Sequence, residues 1–154
     1  MNILAILVFL FLAPAVMAAE STLPAGCQAV KVQGEAVTVE ATKNSLVFIH
    51  NLTAVDLWIT HPVTEPGASA GWTSRLQSEN WSALSLAKGP FVLNCIESRP
   101  GHEQQVPCEA AIAVCKWGKV KFPENAKGSF WAAENMSLSA LTAAVGARGY
   151  VLPQ

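Results

Sequence analysis

The sequence predicts a mainly β protein, an antiparallel β-sandwich with one C-terminal helix. Short segments rich in β-branched and aromatic residues recur at hairpin spacing, and glycine or proline separates them. Only the last part of the chain shows a helical period. A run of strands followed by one helix favours a sandwich over an alternating α/β fold.

The N-terminal segment predicts export. The run from Ile3 to Leu12 is wholly apolar, a length that suits a signal peptide and falls short of a membrane span. Small residues precede Glu20, so we expect cleavage after Ala18, although no Lys or Arg precedes the apolar run. Removal of the signal peptide, residues 1–18, leaves residues 19–154 as a single domain without a transmembrane anchor.

The first half of this domain predicts four strands. Residues 27–40 alternate β-branched and polar side chains around a glycine break, which predicts two short strands. Residues 46–51 and 55–60 predict two more because they are short and rich in β-forming side chains. Pro62 ends the pairing, since it has no amide hydrogen to donate. Residues 63–80 mix proline, glycine and small polar residues, and predict a long loop.

The second half predicts three more strands and the helix. The strands are expected over residues 81–86, 91–97 and 111–117. Leu138, Leu141 and Val145 recur at helical spacing, which predicts a helix over about residues 133–147, capped by Asn135 or Ser137. The whole pattern is typical of a cupredoxin-like or immunoglobulin-like sandwich.

The cysteines predict two disulfides. The chain has four, at Cys27, Cys95, Cys108 and Cys115, and an even number in an exported chain indicates an oxidising compartment, periplasmic or secreted. The Arg99–His102 turn brings Cys95 toward Cys108, which favours that pair and leaves Cys27 for Cys115. A one-residue slip of register would reverse the side-chain directions, so the other pairings stay open.

Two patterns could carry chemistry. Residues 67–71 match the G-x-S-x-G motif around Ser69, with Glu97 and His102 as triad partners, but a nucleophile elbow must follow a core strand and open a helix. A small serine hydrolase is therefore an alternative function only. A copper-binding cupredoxin-like protein is the second alternative, and its candidate ligands are His50, His61, Cys95, His102 and Met136.

The spacing of these ligands argues against copper. A blue-copper site takes Cys, His and Met from one short loop, and Cys95 is expected to be oxidised. We therefore expect no metal, no cofactor and no catalytic residue. Nucleic acid is also disfavoured: 10 basic and 11 acidic side chains give a net charge of -1, whereas nucleic-acid binding needs clustered Lys and Arg.

The 5 tryptophans indicate a binding protein. Exposed indoles anchor protein partners because they present a large rigid apolar face with one donor. Trp58 and Trp117 lie inside predicted strands and are expected in the core, while the partner-binding residues are expected around the long loop. We expect Trp72, Arg75 and Trp81 to contact a partner protein or a component of the cell envelope.

Residues 47–52, 57–62, 67–72, 81–84 and 95–97 read VFIHNL, LWITHP, GASAGW, WSAL and CIE. These segments resemble the small enhanced-entry B proteins of intracellular bacterial pathogens, and the resemblance extends over most of residues 19–154. It implies a periplasmic or secreted protein associated with entry into host cells or survival within them. It implies no active site, so it adds no functional residues.

Overall fold

A computed structural model of the chain describes residues 23–62, 72–86, 89–126 and 131–153. The predicted signal peptide lies outside these residues. Within them the chain forms ten strands and two helices. The strands are β1 (Cys27–Ala29), β2 (Ala36–Ala41), β3 (Ser45–Asn51), β4 (Leu57–His61), β5 (Trp72–Leu76), β6 (Trp81–Leu86), β7 (Gly89–Glu97), β8 (Gln104–Val106), β9 (Ile112–Trp117) and β10 (Trp131–Met136), and the helices are α1 (Cys108–Ala111) and α2 (Leu138–Ala147).

The strands form two antiparallel sheets, as the sequence predicts. Sheet 1 has the order β1-β9-β3-β6-β10, and sheet 2 has the order β2-β7-β4-β5 with β8 also paired to β7. All the strand pairs are antiparallel. Among the described residues, neither helix has the length and apolar character needed to cross a bilayer.

The main core lies between the two sheets. In β2, Val37 and Val39 are buried while Thr38 and Glu40 are exposed, the alternation of a sheet with one face on the core. The inner residues of sheet 2 meet those of sheet 1 in one apolar cluster. Its buried members are Val37, Val39, Val47, Ile49, Leu57, Ile59, Leu76, Leu84, Leu86, Leu93, Cys95, Cys108, Ala111, Ile112 and Val114.

Sheet 1 is buried on its other face as well. All six residues of β6 are buried, and β3 is buried except at His50. The outer side chains Leu46 and Phe48 pack in a second apolar cluster with Leu141 and Val145 of α2. The molecule therefore has three layers, in which sheet 1 lies between sheet 2 and α2.

Helix α2 is shorter than predicted. It begins at Leu138 and not near residue 133, because residues 131–136 pair with β6 as β10. The register shifts between Ala133 and Met136, and Asn135 takes a left-handed conformation at φ 58°. Ser137 then caps the helix by accepting a hydrogen bond of 3.3 Å from the Ala140 N–H.

The prediction of a loop over residues 63–80 is wrong at residues 72–76. Residues 72–76 form β5, which pairs with β4 and lies at the edge of sheet 2. Residues 63–71 lie outside the described residues. The sequence patterns also missed β8, α1 and β10, all of which are short or interrupted.

The disulfides join Cys27 to Cys115 and Cys95 to Cys108. This is the pairing that the Arg99–His102 turn favours. The turn closes with a hydrogen bond of 2.8 Å from the His102 N–H to the Arg99 carbonyl, and β8 folds back on β7. One disulfide fastens the edge strand β1 to β9, and the other fastens α1 to β7 inside the core.

Candidate functional site

The outer face of sheet 2 carries an aromatic side chain that the sequence patterns assigned to the core. Leu57 and Ile59 of β4 point between the sheets and are fully or nearly buried. Because side chains alternate along a strand, Trp58 points to the outer face, where it is half-buried. The expectation that Trp58 belongs to the core is therefore wrong.

Trp58 is the centre of a row of four side chains, which we call the outer row. It lies opposite Arg75 of β5 on one side and opposite Ile96 of β7 on the other. Gln105 of β8 lies opposite Ile96 and completes the row. Directly opposed side chains are close enough to form one continuous surface. The row is thus an apolar centre flanked by an arginine and an amide.

No described helix covers the outer row. Helix α2 packs on the outer face of sheet 1, on the far side of the molecule. Helix α1 directs its buried residues, Cys108 and Ala111, into the core between the sheets. The two sheets therefore differ: sheet 1 has its outer face covered by apolar contacts, while sheet 2 presents Trp58 and Ile96 half-buried on its outer face.

Arg75 is held in place at one end of the row. Its guanidinium donates to the carboxylate of Asp56, the residue before β4, and 51% of its side chain remains exposed. Asp56 also accepts a hydrogen bond of 3.0 Å from the Ser78 N–H. This backbone hydrogen bond is the main reason that the pKa of Asp56 is lowered, and Arg75 lowers it further against the opposing effect of burial.

A buried amide fixes the loop that carries Asp56. Asn51 is fully buried at the end of β3, and its amide donates to the Val55 carbonyl at 2.8 Å and the Leu76 carbonyl at 3.1 Å. Its carbonyl accepts from the N–H and the hydroxyl of Thr53, at 2.9 and 2.8 Å. All the hydrogen-bonding positions of this amide are used. Asn51 therefore ties the β3–β4 loop to the end of β5.

The predicted partner-binding residues are separated in the structure. Arg75 belongs to the outer row, and Trp72 begins the same strand with its backbone opposite His61. Trp81 lies instead on sheet 1, is only 5% exposed and stacks on His50 with ring centroids 4.3 Å apart. Trp81 is therefore almost fully buried and lies apart from the outer row. Trp58 and Ile96 belong to the row, and only their position in the sheet reveals them.

His50 shares the buried environment of Trp81. Burial lowers its pKa from the ordinary value of 6.5, although the Glu79 carbonyl, 3.3 Å from Nε2, acts in the opposite direction. The ring therefore favours its neutral form, which suits a position stacked on an indole.

The structure does not bring the copper ligands together. Cys95 lies between the sheets in a disulfide, while His50 and Met136 lie on the opposite, outer side of sheet 1. His61 stacks on Phe91 at the inner face of sheet 2. Over the described ranges, no three His, Cys, Asp or Glu side chains are grouped as metal ligands would be.

The proposed triad is not assembled either, as far as the described residues extend. Ser69 lies outside them. Glu97 accepts a hydrogen bond of 2.7 Å from Arg99, and His102 is exposed in the turn between β7 and β8. The two residues therefore have no hydrogen-bond relation that a triad would require.

Comparisons with protein-family models, with curated proteins and with solved structures find no match to this chain.

Proposed function

We propose that this chain is an exported, non-enzymatic binding protein whose outer row contacts a partner protein or another component of the cell envelope. One observation carries the proposal: Trp58 lies half-buried between Arg75 and Ile96 on a sheet face that no described helix covers. Tryptophan and arginine are the side chains most enriched where protein interfaces have their binding energy.

The Arg75 side chain is held in position before a partner binds. Its ion pair with Asp56 restricts the guanidinium, so less side-chain freedom is lost when a partner is bound. About half of the side chain stays accessible for a second acceptor, and a guanidinium can serve more than one. The partner we expect presents an apolar group over Trp58 and Ile96 and a carboxylate or carbonyl near Arg75.

Export is supported by two features. The two disulfides indicate an oxidising compartment, which means the periplasm or the extracellular space in our proposal. The apolar segment within residues 1–18 supports a secretory route. The resemblance to enhanced-entry B proteins supports a role in entry into host cells or survival within them.

A crosslinking experiment in the native envelope tests the contact surface. A photoreactive residue replaces Gln105 at the end of the row, and a second protein carries it at Thr142 on the exposed side of α2. We expect a defined crosslinked partner from position 105 and not from position 142. Trp58→Ala and Arg75→Ala should each lower the yield by about tenfold, as hot-spot truncations do. Trp72→Ala tests whether the start of β5 also contributes.

Arg99→Ala is the matched control. Arg99 is also an exposed arginine in an ion pair, with Glu97, but it lies in the β7–β8 turn outside the row. This variant should leave the yield unchanged, and thermal unfolding should show that all the variants are folded. Equal yields from the Arg75 and Arg99 variants, with the same partner, would contradict the proposal.

A further inference from the structure

A second surface lies where β9 ends, on the outer side of sheet 1. Two adjoining cavities of about 510 and 400 Å³ share Lys43 and Val120 in their walls. Both open widely to solvent, so together they form a shallow groove and not an enclosed pocket. We call the pair of cavities the lysine cleft. It is separate from the outer row, which is on sheet 2.

The floor of the lysine cleft is partly apolar, because three apolar side chains line the first cavity beside the polar Thr42 and Asn44. Trp117, Val120 and Phe122 line the first cavity, and all three pack in the apolar cluster beneath α2. Trp117 meets Phe48 edge to face, and Phe122 meets Tyr150 in the same way. These contacts fix the rings, so the floor is formed before any ligand arrives.

The rim of the lysine cleft is positively charged. Lys43 comes from the β2–β3 turn, and Lys119 and Lys121 come from the segment after β9. That segment is tied to the C-terminal residues, because Lys121 and Val151 exchange two backbone hydrogen bonds of 3.1 and 3.0 Å. The three ammonium groups therefore come from backbone positions that the fold holds together.

These charges have no acidic partner in the described part of the chain. The ion pairs found there are Arg75 with Asp56 and Arg99 with Glu97. The described residues that line the two cavities include no Asp or Glu. In a chain whose net charge is -1, this concentrates positive potential around an apolar floor.

We propose that the lysine cleft binds an anionic amphiphile, a single-chain lipid with a phosphate or carboxylate headgroup. The apolar floor suits the chain, because burial of methylene groups is favourable. The lysines suit the headgroup, since hydrogen bonds between an ammonium and an anionic oxygen are among the stronger ones. Neither half of such a molecule alone matches both the floor and the rim.

Calorimetric titration with three probes tests the ligand class. Dodecyl phosphate below its micelle concentration should bind, and added salt should weaken the binding because it screens exposed charges. Dodecyl maltoside has the chain without the charge, and inorganic phosphate has the charge without the chain. Each should bind at least about tenfold more weakly than dodecyl phosphate. Equal affinity for the neutral and the anionic amphiphile would overturn the proposal, as would no binding of dodecyl phosphate.

Variants test the location. Lys43→Gln with Lys119→Gln should lower the affinity for dodecyl phosphate by about tenfold. Lys31→Gln with Arg99→Gln removes the same charge from exposed residues that line neither cavity, and should leave the affinity unchanged. If both pairs weaken binding equally, the attraction is to overall charge and the proposal fails. Arg75→Ala should not affect this titration, so failure here is distinct from failure of the outer row.

Discussion

The two disulfides should stabilise the fold by different amounts, because they close loops of different length. Cys27 and Cys115 are 88 residues apart in sequence, and Cys95 and Cys108 are 13 apart. A disulfide restricts the unfolded chain, and the entropy removed grows with the logarithm of the loop length. The longer loop should therefore contribute more.

The expected magnitudes follow from the two separations. Loop-closure entropy gives about 4.6 kcal/mol for a loop of 88 residues and about 2.9 kcal/mol for a loop of 13, at room temperature. The difference is about 1.7 kcal/mol, which unfolding curves resolve readily. The first disulfide also fastens β1, a strand of only three residues at the edge of sheet 1.

Two double variants each retain one disulfide. Within each variant the oxidised and reduced forms have the same side chains, so they differ only in that disulfide. Cys95→Ala with Cys108→Ala keeps only the long loop, and Cys27→Ala with Cys115→Ala keeps only the short one. Each protein is unfolded with urea in its oxidised and reduced forms, and the difference in unfolding free energy belongs to the disulfide that remains. All samples contain the same trimethylamine N-oxide concentration, which keeps the weaker forms folded.

Reduction of the long loop should cost more than reduction of the short one. An equal or greater cost for the Cys95–Cys108 disulfide would refute the loop-length reasoning. It would show that the buried position of that disulfide between the sheets matters more than chain entropy.

Two further predictions concern the end of the sandwich near Arg75. Asn51→Ala should lower the unfolding free energy by about 2–3 kcal/mol, because the Val55 and Leu76 carbonyls lose their donor. In the same urea assay, Asn44→Ala at an exposed turn should change the unfolding free energy by less than about 0.5 kcal/mol. Equal effects of the two substitutions would contradict the role given to Asn51. Because the pKa of Asp56 is below its ordinary value of 3.8, its carboxylate contributes stability that is present above that pH and is lost as the pH falls through the folded pKa. Asp56→Asn should thus make the unfolding free energy fall less steeply as the pH is lowered below 5. An unaltered profile for this variant would count against the Ser78 and Arg75 contacts.

The sandwich could be predicted from the sequence because its strands carry local signals. The runs in β3, β4, β7 and β9 are rich in β-forming residues, and the structure contains all of them. β3 does not read as a simple alternation because it has an apolar layer on both sides and is buried except at His50. Residues 81–86 alternate apolar with small polar residues, yet all six are buried in β6 for the same reason. A turn with a Pro-Gly signal favoured the disulfide pairing that the structure has, but the sequence alone left the other pairings open.

The parts that sequence reasoning missed depend on distant partners. Residues 131–136 precede a helical pattern and take the strand conformation because β6 offers an edge for pairing. Residues 72–76 look like loop sequence and become β5 beside β4. Trp58 is a large apolar residue inside a strand, which is typical of a core position. Its outward direction follows only from the burial of its neighbours Leu57 and Ile59. Propensity carries no information on such partners.

The order of strands in sheet 1 has a consequence for the nascent protein. β3 pairs with β6 and β9, and the outer face of sheet 1 is covered by α2, which lies near the end of the chain. Sheet 2 can form once residues up to Val106 have been made, because all its strands lie before that point. Sheet 1 also needs β9 and β10, so it is complete only after Met136, and contacts between such distant segments form slowly. The outer sides of β3 and β6 therefore stay without their apolar cover until α2, among the last residues to be synthesised, packs on them.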